Sequence, residues 1–216
     1  MAEKVVIGNA ELWHGDCREI LPTLPINDLA LTDPPFGIGN FVQVSGKITG
    51  RGVARGKAVE WNDAPPASDV FDMIRAVSKD RIIWGANFFN CFEKNGGAIV
   101  WDKSQKLPNL SKAEVASCTH YKKTEVVRIP WTNFTAAHKK ETDHPCERPV
   151  ELYQWCIKYL PKNIRTVLDP FMGSGSCAVA AILEGRRFTG IEMDRKYFDI
   201  ACERIRAAQS QERLFA

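Results

Sequence analysis

Short apolar strands alternate with amphipathic helices most regularly in the C-terminal third of the sequence. The strand-like segments TVLDP (166–170) and FTGIE (188–192) are separated by the glycine-rich turn FMGSGS and the helical segment CAVAAILEG. Alternation of this kind produces a mainly parallel sheet that is covered by helices on both faces. The sequence therefore predicts an α/β fold.

The rest of the chain continues this pattern, with Ser68 as a candidate N-cap of one helix. The segments 115–122 and 125–131 predict a pair of antiparallel strands. Further strands are predicted at 5–7, 11–13, 29–35, 81–85 and 98–103, and helices at 15–25, 67–79, 87–97, 148–160 and 197–208.

Length, charge and cysteine spacing place the chain in a broad class. Its 216 residues fit one domain, and a net charge of +3 indicates no particular partner. The seven cysteines form no C-x-x-C pair, which argues against a zinc ribbon and a disulfide framework. We therefore expect no metal site. With no leader-like start and no 18-residue apolar run, we expect a soluble, cytoplasmic protein.

The segment DPPF (33–36) ends the apolar strand LALT abruptly. Pro34 and Pro35 lack backbone donors, so neither a helix interior nor a central strand can continue through them. Alone, the segment is as consistent with a rigid strand end as with a catalytic turn. From Gly37 to Val59 the following stretch has no acidic residue, and it is either a solvated loop or a surface for an anionic partner.

The turn FMGSGS has the features of a nucleoside site, although a lone G-x-G is as often a bare turn. Asp169 ends the strand before it, and Glu192 ends the next strand, where a carboxylate accepts ribose hydroxyls in nucleoside-binding sheets. The turn has no lysine, which excludes a Walker loop, and GSGSCA departs from G-x-G-x-x-G. A nucleoside ligand without a pyrophosphate fits best, and S-adenosylmethionine is the commonest such cofactor.

Together, DPPF and FMGSG (171–175) resemble two motifs of the S-adenosylmethionine-dependent DNA amino-methyltransferases, which methylate adenine N6 or cytosine N4. These motifs are the catalytic D/N/S-P-P-Y/F/W and the cofactor motif F-x-G-x-G. The catalytic motif comes first here, which resembles the permuted beta class. The resemblance implies a Rossmann-like, three-layer fold with circularly permuted motif order, and a mainly parallel seven-stranded sheet with one antiparallel strand.

Three further segments are similar to segments of this family: LWHGDCREIL (12–21), HPCERPVEL (144–152) and GIEMDRKYFDIACERI (190–205). The second is similar to H-P-x-x-K-P, with Glu147 and Arg148 where glutamine and lysine are more usual. The resemblance implies that the cofactor is bound by Asp16, Cys17, Asp33, His144, Pro145, Arg148, Asp169, Pro170, Phe171, Gly173, Ser174, Gly175, Glu192 and Met193.

The resemblance also implies how DPPF acts on a target base that has left the DNA duplex. An exocyclic amine is a poor nucleophile because its lone pair is delocalised into the ring. The Asp33 carboxylate and the Pro34 carbonyl would accept the amino hydrogens, Pro34 and Pro35 would fix that carbonyl, and Phe36 would stack on the base. We therefore predict Asp33, Pro34, Pro35 and Phe36 as catalytic residues.

DNA contacts are predicted in two regions of a single methyltransferase domain spanning 1–216. These regions are about 37–61, where Lys47, Arg51, Arg55 and Lys57 could contact phosphates, and about 104–143. Within the family, aspartate before the two prolines favours adenine N6. Methylation of cytosine N4 or of an RNA base, and a degenerate relative that only binds nucleic acid, remain alternatives. Partnership with a restriction enzyme and a homodimer are expected only by resemblance.

Overall fold

A computed structural model describes residues 2–37, 64–105, 111–131 and 147–215 of the chain. The strands are β1 (Glu3–Ile7), β2 (Ala10–His14), β3 (Asn27–Thr32), β4 (Ser78–Trp84), β5 (Gly97–Asp102), β6 (Ala113–Cys118), β7 (Thr124–Arg128), β8 (Thr166–Asp169) and β9 (Arg187–Glu192). The helices are α1 (Cys17–Ile20), α2 (Ser68–Ala76), α3 (Ala86–Phe89), α4 (Val150–Tyr159), α5 (Ser176–Leu183) and α6 (Arg195–Phe215), and a 3-10 turn (Leu21–Thr23) follows α1.

All described strands join one sheet in the order β1-β2-β9-β8-β3-β4-β6-β5-β7. Only β1 and β6 run antiparallel to their neighbours among these nine strands. The predicted α/β, Rossmann-like fold is confirmed, but the strand count of seven was wrong. The seven strands from β2 to β5 in this order contain one antiparallel strand, and β1 and β7 extend the sheet at its two edges.

The sheet is covered on both faces, which explains the continuous apolar run of β3. Leu29 and Leu31 face one core together with α4, α5 and α6, whereas Ala30 faces a second core with α1 and α2. Successive residues of a strand point to opposite faces of the sheet. Because helices cover both faces, all three side chains are fully buried. The two cores therefore make a three-layer molecule.

Three local predictions were wrong. Ser68 is the first residue of α2, whose N-cap is Ala67, and no side chain caps this helix. The helix predicted at 87–97 ends at Phe89, because Asn90 adopts a left-handed conformation with a φ of 51°. The strands β6 and β7 run in opposite directions as predicted, but β5 lies between them and pairs with both.

Among the described residues, no helix is long and apolar enough to cross a membrane. The parallel strands β3, β8 and β9 all end at one edge of the sheet. The residues that follow these strands are therefore brought together there, where ligands bind in open α/β folds.

Candidate active site

A cavity of about 780 Å³ opens at this carboxyl edge of the sheet. Its wall includes the four residues 33–36 after β3, the glycine-rich turn after β8, and Glu192 at the end of β9. Both candidate motifs therefore face one space. Its volume lies in the range of small-molecule and cofactor sites, which is roughly 300–1,000 Å³.

The two motifs are also joined by a hydrogen bond. The Thr32 hydroxyl donates to Asp169 Oδ1 at 2.7 Å, and the Phe171 N–H donates to the same oxygen at 3.1 Å. Burial raises the pKa of Asp169 to about 7, although both hydrogen bonds oppose that shift. Asp169 thus ties the end of β3 to the glycine-rich turn.

The glycine-rich turn has a backbone that side chains would disturb. Gly173 and Gly175 have φ values of 53° and 87°, in the left-handed region that favours glycine. A Cβ atom on Gly175 would lie 3.0 Å from the Cβ of Ala201 in α6. The turn can therefore pack against α6 and leave its other side open to a ligand.

Glu192 accepts hydrogen bonds from the N–H groups of Gly173 at 2.8 Å and Asp194 at 2.7 Å. Burial raises the pKa of this carboxyl group. Asp16 lies at the same cavity, where its carboxylate caps α1 through the Arg18 N–H at 2.9 Å. The hydrogen bond from the Arg18 side chain lowers the pKa of Asp16.

These residues suit the nucleoside cofactor that the turn predicts. Glu192 and Asp16 offer carboxylate oxygens to hydroxyl or amino groups, and the turn allows close approach to its backbone. Cys17, Pro170, Phe171, Met193 and Tyr197 add largely apolar surface to the same wall. They would hold S-adenosylmethionine against the turn.

Arg204 of α6 supports the turn from outside the cavity. Its Nη1 donates to the Ser174 carbonyl at 2.9 Å and to the Ser174 hydroxyl at 3.0 Å. The same nitrogen forms an ion pair with Glu147 at 2.6 Å, and Glu147 accepts a hydrogen bond from Ser176 at 2.6 Å. The segment before α4 and the start of α5 are therefore connected to the turn through one arginine.

Phe36 lines the cavity with one ring face covered by a second aromatic side chain. The rings of Phe36 and Phe88 stack at a centroid distance of 4.8 Å, and Phe88 is 51% exposed. Gly85 has a φ of 72°, and a Cβ atom there would overlap the Phe36 ring. The left-handed glycine after β4 thus makes room for the aromatic residue of DPPF.

Asp33 lies beside a buried arginine. Arg148 Nη2 donates to Asp33 Oδ1 at 2.5 Å, and Arg148 Nη1 donates to Glu114 Oε2. Lys103 pairs with the other oxygen of Glu114. Burial raises the pKa of Asp33, and Arg148 opposes this shift. We call Asp33, Arg148, Glu114 and Lys103 the charge network.

The structure brings most of the predicted site residues together. Asp16, Cys17, Arg148 and Glu192 line the cavity with DPPF and the turn, whereas Asp169 is buried and bonded to Thr32 and Phe171. His144, Pro145, Lys47, Arg51, Arg55 and Lys57 lie outside the described residues, as do most of the two predicted DNA-contacting regions.

Sequence reasoning missed Glu114, Lys103 and Phe88. Glu114 is 34 residues from Arg148 in the sequence, so no local spacing connects the two. An acidic residue within the otherwise apolar strand AEVASC is the one feature that could have drawn attention to it. Phe88 was assigned to a longer helix, which hid its position beside Phe36.

The sequence is similar to known proteins of one enzyme family. The DNA methylase model of the N6/N4 group matches residues 78–203. The protein YubD of Escherichia coli strain K12, whose name describes it as a methylase, is 31% identical over an alignment of 217 positions, which covers 91% of this chain and 90% of YubD.

Solved structures share the fold. The complex of M1.HpyAVI with S-adenosylmethionine has a TM-score of 0.59 at 22% identity, with 90% of this chain and 99% of that chain covered. The cytosine-N4-specific PvuII DNA methyltransferase has a TM-score of 0.62 at 18% identity, with 92% and 87% covered.

The matched region begins with β4 and includes the glycine-rich turn and Glu192, while the match to YubD also extends over most of the chain. Enzymes of this family use S-adenosylmethionine as the methyl donor, which agrees with the carboxylates and the open turn of the cavity. The chain belongs to the N6/N4 family of DNA methylases.

Proposed function

We propose that this methyltransferase acts on the exocyclic N6 of adenine in DNA, with the target base flipped out of the duplex into the cavity. The observation that supports this most is the position of Asp33, whose carboxylate lies in the same cavity as the glycine-rich turn. A hydrogen-bond acceptor and the methyl donor must both lie near the amino nitrogen for transfer to occur. The preference for adenine rests on aspartate as the first residue of DPPF.

In this proposal Asp33 and Pro34 accept hydrogen bonds from the target amino group. Its lone pair would then localise on nitrogen and form the new N–C bond to the methyl group, the electron pair of the S–C bond would stay on the donor's sulfur, and one amino proton would be lost to solvent. Arg148 holds Asp33 Oδ1, so we assign Oδ2 to the amino group. Pro34 and Pro35 fix the backbone. Phe36 stacks on the base after Phe88 or Arg148 moves away from the ring of Phe36 that it now contacts.

The whole chain would act as one catalytic domain. The cations Lys47, Arg51, Arg55 and Lys57 would contact phosphates around the extruded nucleotide, and the region 104–143 would add further DNA contacts. Asp16, Cys17, His144, Pro145 and Arg148 would contribute to the cofactor site with the turn, Glu192 and Met193. A homodimer, a restriction partner and a cytoplasmic location stay predictions.

Nucleoside analysis tests the choice of base. DNA treated with the protein and S-adenosylmethionine is digested, and the nucleosides are separated and identified by mass spectrometry. We expect N6-methyldeoxyadenosine. If N4-methyldeoxycytidine accumulates instead, the choice of adenine is wrong, and if a parallel reaction methylates RNA while the DNA stays unmethylated, the choice of DNA is wrong.

A further inference from the structure

We propose that Glu114 is a positioning residue for methyl transfer, which acts on Asp33 through Arg148. This inference rests on the proposed function, because the position of Asp33 matters to the rate only if its carboxylate accepts the target amino group. Glu114 itself needs no contact with the reacting atoms.

The charge network is buried and contains as many acidic as basic groups. The side chains of Arg148, Lys103, Glu114 and Asp33 are 4%, 9%, 18% and 21% exposed. Burying a charge is costly unless it is paired, so each member depends on its partners. Glu114 occupies the central place, because it contacts both cations.

Aromatic rings hold the plane of the Arg148 guanidinium. Its Cζ lies 5.0 Å from the ring centre of Trp84, 5.6 Å from that of Trp101 and 5.8 Å from that of Phe36. Contacts of this kind restrict where the group sits, but they do not choose which of its nitrogens faces Asp33.

That choice requires hydrogen bonds. Arg148 Nε is buried and has no hydrogen-bond partner among the described residues. The guanidinium is therefore oriented at its two ends, by Glu114 on Nη1 and by Asp33 on Nη2. Without Glu114, Asp33 alone would hold the guanidinium, and both groups would be free to turn. The fork of an arginine can bridge two carboxylates that lie in different directions, which explains why arginine suits this position.

Charges around Asp33 come from several elements. Arg148 before α4 and Lys103 after β5 lower the pKa of Asp33, whereas burial and Glu114 on β6 raise it. Tyr153 of α4 and Asp169 of β8 also interact electrostatically with Asp33. Replacing Glu114 by a neutral residue therefore removes one influence that raises the pKa of Asp33 and also loosens the arginine that lowers it, so the pH dependence of the enzyme should change.

The test compares pH profiles of kcat for the full chain with saturating DNA and S-adenosylmethionine. The variant Glu114→Gln keeps the side-chain shape but loses the charge. We expect its kcat to fall roughly tenfold, and the acidic limb of its profile to move away from its position in the wild type. Cofactor affinity is measured by calorimetry in parallel, because Arg148 is also proposed to contact the cofactor, and kcat at saturating cofactor separates the two effects.

Glu93→Gln is the matched control. Glu93 also bridges two cations, Arg75 and Arg81, but it lies outside the cavity wall formed by the described residues. Its removal should leave both kcat and the acidic limb unchanged. A Glu114→Gln profile that superimposes on the profile of Glu93→Gln would overturn the inference.

Glu114→Asp provides a second test if the glutamine variant does not fold. It keeps the negative charge but is one methylene shorter, so it cannot reach both cations in the same way. We expect a lower kcat, because Arg148 is held less firmly, and an unchanged kcat would contradict the positioning role. If the wild-type chain itself transfers no methyl group to DNA, the proposed function fails; if the wild type is active and the Glu114 variants match it, this inference alone fails.

Discussion

Asp33 is subject to opposing influences, as its environment combines burial with a buried arginine. Burial raises its pKa and Arg148 lowers it, so protonation of this one carboxyl group depends on the arrangement of its partners. A protonated Asp33 accepts hydrogen bonds poorly. The rate of methyl transfer should therefore begin to fall at a pH above the usual pKa of an aspartate.

Asp169 provides a prediction about stability rather than catalysis. Its pKa is raised from 3.8 to about 7 in the folded chain, so the folded state binds this proton more tightly than the unfolded state. The resulting stability is present below about pH 4 and is lost as the pH rises toward 7. In Asp169→Asn the free energy of unfolding should fall less between pH 5 and pH 8 than in the wild type, by up to about 3 kcal/mol.

Urea denaturation at the two pH values measures this difference. Thr32→Val is the control, because it removes the hydrogen bond that Thr32 donates to Asp169 but keeps the carboxyl group. Its pH dependence should be at least as large as that of the wild type. Equal pH dependence in Asp169→Asn and the wild type would contradict the raised pKa.

At the level of secondary-structure elements, α6 determines the shape of the glycine-rich turn through Arg204. Arg204→Gln should loosen the turn and weaken S-adenosylmethionine binding roughly tenfold, which is about 1.4 kcal/mol. Calorimetric titration with the cofactor measures this effect. Arg206→Gln is the control on the same helix, since Arg206 is exposed, and a loss of affinity as large in this control would refute the role of Arg204.

Two glycines in left-handed conformations lead to a prediction, namely Gly85 between β4 and α3 and Gly185 between α5 and β9. Gly85 and Gly185 have φ values of 72° and 65°, so alanine at either position should cost about 1–2 kcal/mol of stability. A Cβ atom on Gly85 would also overlap the Phe36 ring, whereas one on Gly185 has nothing within 4 Å. Gly85→Ala should therefore lower kcat strongly, and Gly185→Ala should lower stability alone.

Thermal unfolding and steady-state kinetics separate these two effects. A Gly85→Ala enzyme with the kcat of Gly185→Ala would show that the position of Phe36 is unimportant.

Elements with a regular apolar pattern were predictable from the sequence. The run from β8 through α5 to β9 was correct because a buried strand, a glycine-rich turn and an apolar helix each have a local pattern. The helix predicted at 87–97 ends at Phe89 because the chain turns at the left-handed Asn90, which the apolar pattern does not indicate. The order β4-β6-β5-β7 depends on long-range pairing that no local pattern specifies.

On the scale of the whole molecule, the sheet explains how motifs far apart in the sequence form one site. Asp33 and Asp169 are 136 positions apart in the numbering, yet β3 and β8 are neighbouring parallel strands that end at one edge. Parallel strands of this kind bring the residues after them together. The sequence motifs could therefore predict both halves of the site, whereas Glu114 required the completed sheet.

The predicted DNA surface has a salt-dependent signature. Replacing Arg51 and Arg55 together by alanine should weaken DNA binding and reduce the slope of log K against log salt by about two, since two phosphate contacts are lost. Cofactor affinity should not change. The control is the double variant Lys162→Ala/Arg165→Ala. It removes two exposed cations that precede β8 at the opposite edge of the sheet, so its DNA affinity and salt slope should stay those of the wild type.

DNA binding at several salt concentrations, measured by fluorescence anisotropy, compares the two double variants. An unchanged affinity and slope for Arg51→Ala/Arg55→Ala would show that these cations do not contact DNA.

Transfer of labelled methyl groups from S-adenosylmethionine to DNA tests the central claim most directly. The wild type should label adenine N6, and Asp33→Asn should lose at least about 100-fold in rate. Asp102→Asn, an aspartate that ends β5 and pairs with Arg128 outside the described cavity wall, should retain activity. Labelling by Asp33→Asn at the wild-type rate, or no labelling by the wild type, would contradict the assignment of this cavity as the methyl-transfer site.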